Sequence, residues 1–423
     1  MWQVFSGAWA LLLGMMLLQV GNGMQGTLLG VRGALEGFST TQMSVVMSAY
    51  FAGFLFGSRM APEMIRRVGH VRVFAALGSM ISAVLILYPT LADPWAWSVG
   101  RVVIGFCFSG VYVTAESWLN NSATNQTRGK ALSLYMIVQM VGIVTAQGLL
   151  VLGDPSGYVL FVIPSVLVSL AFAPILLSVS PTPAFDTTKP LSLRQIWAVS
   201  PLGCVGMFLL GGVFSAQFGM APVYGAEAGL SVPQISIFVS MFFVGSLVLQ
   251  YPIGWLSDRM DRRVLICGAA ALMGAGAVLG VVLGAVFVPL LLTAFIIGGM
   301  SNPLYSLLIA YTNDFLEHDD MAAAAGGMVF INGLGAVTGP LITGWLMGVI
   351  GPGGFFVVIA VLGLSIAAYA AYRMTQRAAP APEQTDSYTA VAPSASPMAV
   401  EFAQEFAIEA AQEGGDATKS GAA

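Results

Sequence analysis

The sequence predicts an all-α membrane protein with twelve transmembrane helices in two pseudo-symmetric six-helix bundles. Three observations lead there. Of the 423 residues, 57% are hydrophobic and only 9% charged, with a mean hydropathy of +0.84, so lipid must solvate most of the surface. The apolar residues form twelve runs, each near the ~20 residues a helix needs to cross the hydrocarbon core. The basic residues collect in alternate connections between those runs.

The first run lies near 7–31. It has no basic stretch before it and is too long and too glycine-punctuated for a cleaved leader, so it reads as the first span. Five more near 41–61, 71–91, 95–116, 131–152 and 157–179 complete a bundle over residues 1–179. The polar stretch 180–199 reads as a central loop. A second bundle, 200–375, takes the runs near 200–222, 233–256, 264–284, 286–311, 324–349 and 353–373. Arg59, Arg66, Arg67, Arg72, Arg128, Lys130, Lys189, Arg194, Arg259, Arg262 and Arg263 all follow even-numbered spans, whereas the odd-numbered connections hold only Arg32. Lysine and arginine mark the cytoplasmic side, so both termini are expected there, in a bacterial inner membrane.

The two halves repeat one another. QMVGIVTAQG from Gln139 aligns with NGLGAVTGPL from Asn332, pairing Gly142 with Gly335 and Thr145 with Thr338. In the same register Gly105 and Tyr112 of the fourth span match Gly298 and Tyr305 of the tenth, and Gln25 falls one residue from matching Gln217. Agreement across three helix pairs argues for internal duplication.

Beyond residue 375 the composition turns to Ala, Pro, Ser and Glu, which buries too little apolar surface to order itself. Residues 376–423 therefore read as a disordered cytoplasmic tail. Within it Glu401, Glu405, Glu409 and Glu413 recur every four residues beside Phe402 and Phe406, the pattern of a short amphipathic helix. Seven of the 20 acids lie beyond residue 380, so the rest of the chain is nearly neutral and no nucleic-acid partner is expected. Cys107, Cys204 and Cys267 stand in apolar segments without CxxC spacing or nearby histidines, so no disulfide, metal or cofactor is expected. The phosphate-binding loop G-x-x-x-x-G-K-[ST] is absent, which argues against ATP-driven pumping, and nothing points to an enzyme.

The most specific motif is GWLSDRMDRR, from Gly254 through Asp258, Arg259 and Arg262 to Arg263. It resembles the loop signature G-x-x-x-D-R-x-x-R-R of the major facilitator superfamily. RVVIG from Arg101 resembles that family's R-x-x-x-G element. With LLGVR in the first span, ESWLN from Glu116, TRGK from Thr127 and YTND in the tenth span, the chain is similar to the YcaD-like branch of bacterial facilitators over about residues 5 to 375. The first-half loop departs from the pattern, with Arg66 where the family's aspartate is expected. The resemblance implies alternating-access transport of a small solute. Helix 5 has Thr145-Ala146-Gln147-Gly148 where proton-driven drug antiporters of the family carry glycine-proline, which argues against a drug exporter.

A charge inside the membrane costs roughly 2.5–3.5 kcal/mol on insertion scales, so an intramembrane ionisable residue marks a functional site by default. Arg101 lies about one and a half turns inside the fourth span. Gly105, Ser109, Tyr112 and Glu116 continue its face at helical spacing, so that face must look inward. Asn22 and Gln25 in the first span, Gln139 in the fifth, Gln217 in the seventh and Asn302 and Tyr305 in the tenth join it as candidate substrate-binding residues. Each amide serves equally as an interhelical hydrogen-bonding group. Glu116 and Asp314 end the fourth helix of each half; either carries the coupling proton or anchors a loop. At the cytoplasmic side Asp258 is expected to face Arg128 and Lys130. Arg66 and Arg67 are expected to face Glu317, Asp319 and Asp320, closing that side at rest. A monomeric transporter of a small organic, anionic or amphiphilic solute, coupled to protons and bathed in lipid, is the favoured reading. A membrane sensor or assembly factor that keeps the fold without transporting, or a drug or cation exporter, is the alternative.

Overall fold

Helix starts are written into several loops as Ser-x-x-Gln. Ser39 and Ser192 each accept from the backbone of the glutamine three residues on, and that glutamine's side chain accepts from the serine's N–H. Ser231 and Gln234 repeat the second half of this exchange, with N–H to Oε1 at 2.9 Å. Such boxes satisfy donors a helix would otherwise leave unpaired. The computed structural model describes residues 2–122, 127–177, 191–376, 388–391, 393, 396, 398–401, 403 and 404.

Among the described residues all regular structure is helical. In chain order the elements are α1 (Trp2–Leu35), α2 (Thr40–Val68), α3 (His70–Leu87), α4 (Pro94–Ser122), α5 (Arg128–Leu150), α6 (Val159–Leu177), α7 (Leu193–Val199), α8 (Pro201–Ser215), α9 (Ala221–Glu227), α10 (Val232–Ser257), α11 (Arg262–Leu283), α12 (Phe287–Asn313), α13 (His318–Ile350) and α14 (Gly354–Gln376). Nine spans among the described residues are long and apolar enough to cross a membrane. Their outer faces carry large apolar side chains such as Val99 (66% exposed), Val288 (74%) and Trp345 (61%), a belt that only lipid can cover.

The seventh expected run is longer than its sequence reading and is not one regular helix. Between α8 and α9 a π-turn spans Ala216–Met220, in which Ala221 N–H reaches back five residues to Ala216 O. Pro222 is the physical reason, because it has no N–H to give the carbonyl four residues before it. The expected central loop is partly helical. α7 is held by Leu191 N–H to Ala323 O at 2.9 Å and by Ile196 against Gly327, while 178–190, with Lys189, lie outside the described residues.

The repeat read from sequence recurs in three dimensions. α4 lies against α2 as α12 lies against α10, with Gly105 on the Tyr50 carbonyl and Gly298 on the Phe242 carbonyl. A Cβ at either glycine would collide with backbone, so the crossing requires its absence.

The two halves touch directly at the end that holds the α1–α2 and α13–α14 connections. Gly344 lies on Ser44, Gly348 on Thr40 and Gly30 on Pro222, and Ser48 Oγ donates to Val337 O at 2.6 Å. The opposite end gathers the termini of α2, α4, α10 and α12 and the arginines that follow them. The expected charge latch between halves is not formed there among the described residues. Arg66 and Arg67 both turn back to Glu63 on their own helix, three and four residues away, where the pairing needs no approach of the other half. Asp320 and Lys130 are exposed, and the side chains of Arg128 and Asp319 lie outside the described residues.

What stands between the halves at this end is the chain beyond α14. The expectation of a wholly solvated tail is corrected for its described part: Val391, Ser396, Ala399, Val400, Ala403 and Gln404 are buried, and 398–401, 403 and 404 are helical. Composition understated this segment because its small residues suit a cleft that other helices had already lined. Glu405, Glu409, Glu413, Phe402 and Phe406 lie outside the described residues.

Candidate functional site

A central cavity of about 170 Å³ lies between the halves. Its first wall is a chain of polar side chains from α1, α4 and α5, each link donating to the next. Arg101 Nη1 donates to Gln25 Oε1 (2.9 Å), Gln25 Nε2 to Asn22 Oδ1 (3.1 Å) and Asn22 Nδ2 to the Tyr112 hydroxyl (2.9 Å). Tyr112 in turn donates to Gln19 Oε1 (2.5 Å), and Gln19 Nε2 to Gln139 Oε1 (2.7 Å). Asn22 also reaches the Tyr50 hydroxyl at 3.2 Å. Links that all point one way polarise one another in a low-dielectric interior.

Arg101 heads this chain. It is 3% exposed, its guanidinium carbon lies 4.5 Å from the centroid of the Tyr50 ring, and Nη2 lies 3.5 Å from Met47 Sδ. Among the described residues its Nε has no partner and no carboxylate pairs with it. A buried cation held only by an amide, a sulfur and a ring face can accept an anionic group without breaking an ion pair.

The facing wall is apolar and comes largely from the second half. Phe214, Phe218 and Phe243 form it, with ring centroids 6.0 and 5.3 Å apart along the series, and Phe51 and Phe54 of α2 extend it. Asn302 and Asn332 are the second half's polar lining residues. Their amide nitrogens go to backbone carbonyls, Gly298 O at 3.3 Å and Met207 O at 3.0 Å.

Of the sequence-predicted substrate residues, Asn22, Gln25, Arg101, Tyr112, Gln139 and Asn302 line this cavity. Gln217 and Tyr305 do not. Gln217, in the π-turn, exchanges hydrogen bonds with Ser301 of α12 at 3.1 and 3.2 Å, and Tyr305 is packed against Phe214 with its hydroxyl unpartnered among the described residues. Sequence reading missed Tyr50 and the phenylalanine wall. The spacing of Phe214 and Phe218, four apart on one helix face, was the available signal.

The two carboxylates part company. Asp314 is paired with Arg262 of the loop motif, both side chains almost fully buried, so its geometry is that of an anchor for the α10–α11 connection. Glu116 is 2% exposed and accepts from the Tyr135 hydroxyl at 2.9 Å and from Ser396 N–H at 3.0 Å. Within the motif, Asp258 accepts Tyr388 N–H at 2.8 Å, and Arg262 lies 4.0 Å from it. Arg259 lies over the Trp255 ring. Asp261 caps α11 through Arg263 N–H at 2.9 Å, and the hydrogen bonds from the Arg263 guanidinium hold its carboxyl below the usual aspartate range.

A family model described as Major Facilitator Superfamily matches residues 11–231 and again 203–406. The chain is similar to the uncharacterized MFS-type transporter YcaD of Escherichia coli O7:K1, 28% identical over 366 residues, covering 83% of this chain and 91% of that protein. Among solved structures it is similar to the nucleoside transporter NupG carrying a D323A mutation, with a TM-score of 0.70 at 14% identity over 86% of this chain and 98% of that one. It is also similar to a D-xylose-proton symporter, with a TM-score of 0.67 at 16% identity over 87% and 97% of the two chains.

Proposed function

The chain belongs to the major facilitator superfamily, and from that premise we propose a transporter of a small organic anion with an apolar body, working by alternating access through the central cavity. The unpaired Arg101 carries the reading. A carboxylate or similar group meeting its free guanidinium edge would gain a charge-assisted bond, while the phenylalanine wall takes the rest of the solute. Twelve membrane-spanning helices in two six-helix units, 1–179 and 200–375, joined by 180–199, with both termini cytoplasmic in a bacterial inner membrane, is the arrangement this reading uses. The eleven basic residues that follow even-numbered spans support that orientation. It makes the arginine-rich end cytoplasmic, and the contacts between halves at the opposite end then correspond to an inward-facing state.

A thermal-shift screen of purified protein against anionic, neutral and cationic solutes of matched apolar bulk tests the substrate class. A solute at 100 times its dissociation constant stabilises the fold by about 2.7 kcal/mol. Anions are expected to give the larger shifts; shifts from the neutral or cationic series alone would refute the assignment. Proton coupling is proposed through Glu116, which hydrogen-bonds Tyr135 at the cytoplasmic side of the cavity. In vesicles, Glu116→Gln is expected to lose proton-driven accumulation and keep solute exchange, and loss of both or of neither counts against it.

A further inference from the structure

The described residues beyond α14 touch both halves at once. On the first half, Ser396 N–H donates to Glu116 Oε2 at 3.0 Å. On the second, Tyr388 N–H donates to Asp258 Oδ1 at 2.8 Å, and Gln250 Nε2 to the Tyr388 hydroxyl at 2.8 Å. Val391 N–H donates to Ser306 Oγ at 3.0 Å, Ser306 Oγ returns a bond to Val391 O at 3.2 Å, and Gln404 Nε2 reaches Asn313 Oδ1 at 3.2 Å. Val391, Ala399, Val400 and Ala403 are buried beneath these bonds, and Pro393 forms part of the lining of the central cavity. Side-chain acceptors on α4, on α12 and in the α10–α11 connection therefore take main-chain N–H groups of this segment, as a peptide-binding site does.

The loop motif takes part. A Cβ at Gly254 would lie 2.7 Å from Cδ1 of the Tyr388 ring, so this glycine makes room for the tail, and Asp258 four residues later accepts its backbone. We propose that the opening between the halves at the arginine-rich end is a peptide-binding site whose resident ligand is the segment of this chain carrying Tyr388, Val391, Pro393, Ser396 and Gln404, and that this ligand wedges the halves apart and closes the cavity until it withdraws. Glu116 on α4 and Asn313 on α12 cannot approach each other while Ser396 and Gln404 are bonded to them. Closing this end, which the proposed transport cycle requires, therefore needs the segment to leave.

A tether makes weak docking sufficient. The stretch from Gln376 to Tyr388 spans at most about 40 Å when extended. Tethering within that reach gives an effective concentration on the order of millimolar. The site is then filled in the intact chain even where the free peptide binds only in that range.

The test uses one cysteine at Asn302→Cys, in a chain whose Cys107, Cys204 and Cys267 are replaced by alanine, and a membrane-impermeant maleimide applied to either side of membrane vesicles. The intact chain is expected to label slowly from both sides. A chain ending at residue 387 is expected to label at least tenfold faster from one side, and the synthetic peptide 388–404 at millimolar concentration is expected to restore slow labelling where a scrambled peptide does not. Equal rates in intact and truncated chains would overturn the proposal, as would acceleration that neither peptide, or both, reverses. If truncation prevents folding, Val391→Pro with Ser396→Pro in the full chain decides the matter, since it removes the N–H groups given to Ser306 and Glu116. Acceleration supports the plug and an unchanged rate overturns it. Labelling needs no substrate, so failure here leaves the transport reading standing, and failure of transport leaves this result readable.

Discussion

Replacing Arg101 by methionine separates binding from folding, because the two effects have different sizes. The substitution removes a buried cation that costs several kcal/mol to desolvate, against which the fold loses one charge-assisted bond to Gln25, worth about 1.5–3 kcal/mol, and a desolvated ring contact with Tyr50, worth about 2 kcal/mol. These terms nearly cancel, so the unliganded variant is expected to lie within about 2 kcal/mol of the parent. Binding has no such compensation. An anion in the cavity loses its partner and remains desolvated, a cost of about 3 kcal/mol or more, or at least 100-fold in affinity. Arg101→Lys keeps the charge but not the planar fork that meets Gln25 and Met47 together, and should fall between the two. The assay is melting temperature with and without the anion that best stabilises the parent. An unchanged ligand shift in Arg101→Met would remove the residue from the site. A loss of more than about 4 kcal/mol in the unliganded protein would make it a structural group instead.

Other substitutions test the frame. Gly298→Leu drives a side chain into the Phe242 carbonyl and should cost about 1–3 kcal/mol, measured as a lower melting temperature, while Gly268→Leu, which meets open space, should cost far less. Asp314→Ala takes the nearer carboxylate from the buried Arg262 guanidinium, leaving Asp258 at 4.0 Å, and should cost about 3 kcal/mol, read by the same melting curve; a cost below about 1 kcal/mol would mean that the pair does not anchor the loop. Asp261→Ala should cost about 1 kcal/mol at neutral pH through loss of the α11 cap. Because its native carboxyl titrates below the unfolded value of about 3.9, that contribution is complete above this value and fades as pH falls through the lower native one. Melting curves of parent and variant should therefore converge in strong acid.

The frame was legible because it rests on patterns that lipid enforces. Apolar run length gave the helices, and the Gly105–Gly298 and Gly142–Gly335 pairs marked crossings at which a side chain would strike backbone in both halves. The place of Arg101 on the cavity wall was legible for the same reason, since a cation at that depth cannot face lipid. Gln217 misled because it lies in the π-turn before Pro222, where its amide exchanges hydrogen bonds with Ser301 and does not line the cavity. Polar residues on a helix can be assigned to a face only while the period holds. The aromatic wall escaped notice because phenylalanines in a membrane span look like ordinary core, and only the opposite polar wall gives them meaning.

The tail shows a different limit. Composition asks whether a segment can bury its own apolar surface, and residues 376–423 cannot. Docking asks whether a surface already formed offers partners, and here Asp258, Ser306 and Glu116 stand ready to accept backbone N–H groups from a segment with little side-chain entropy to lose. The same acids invite a misreading when the halves are considered alone. Asp258 looks like one arm of a charge latch, and Arg66 with Arg67 like another, until each is seen to be satisfied without the opposite half, the first by Tyr388 and the others by Glu63. A latch between exposed charges is worth about 0–1 kcal/mol per pair. A buried peptide that bonds to both halves is the stronger constraint on how far apart they stand, so the arginine-rich end is governed by whether the chain's own tail is in place.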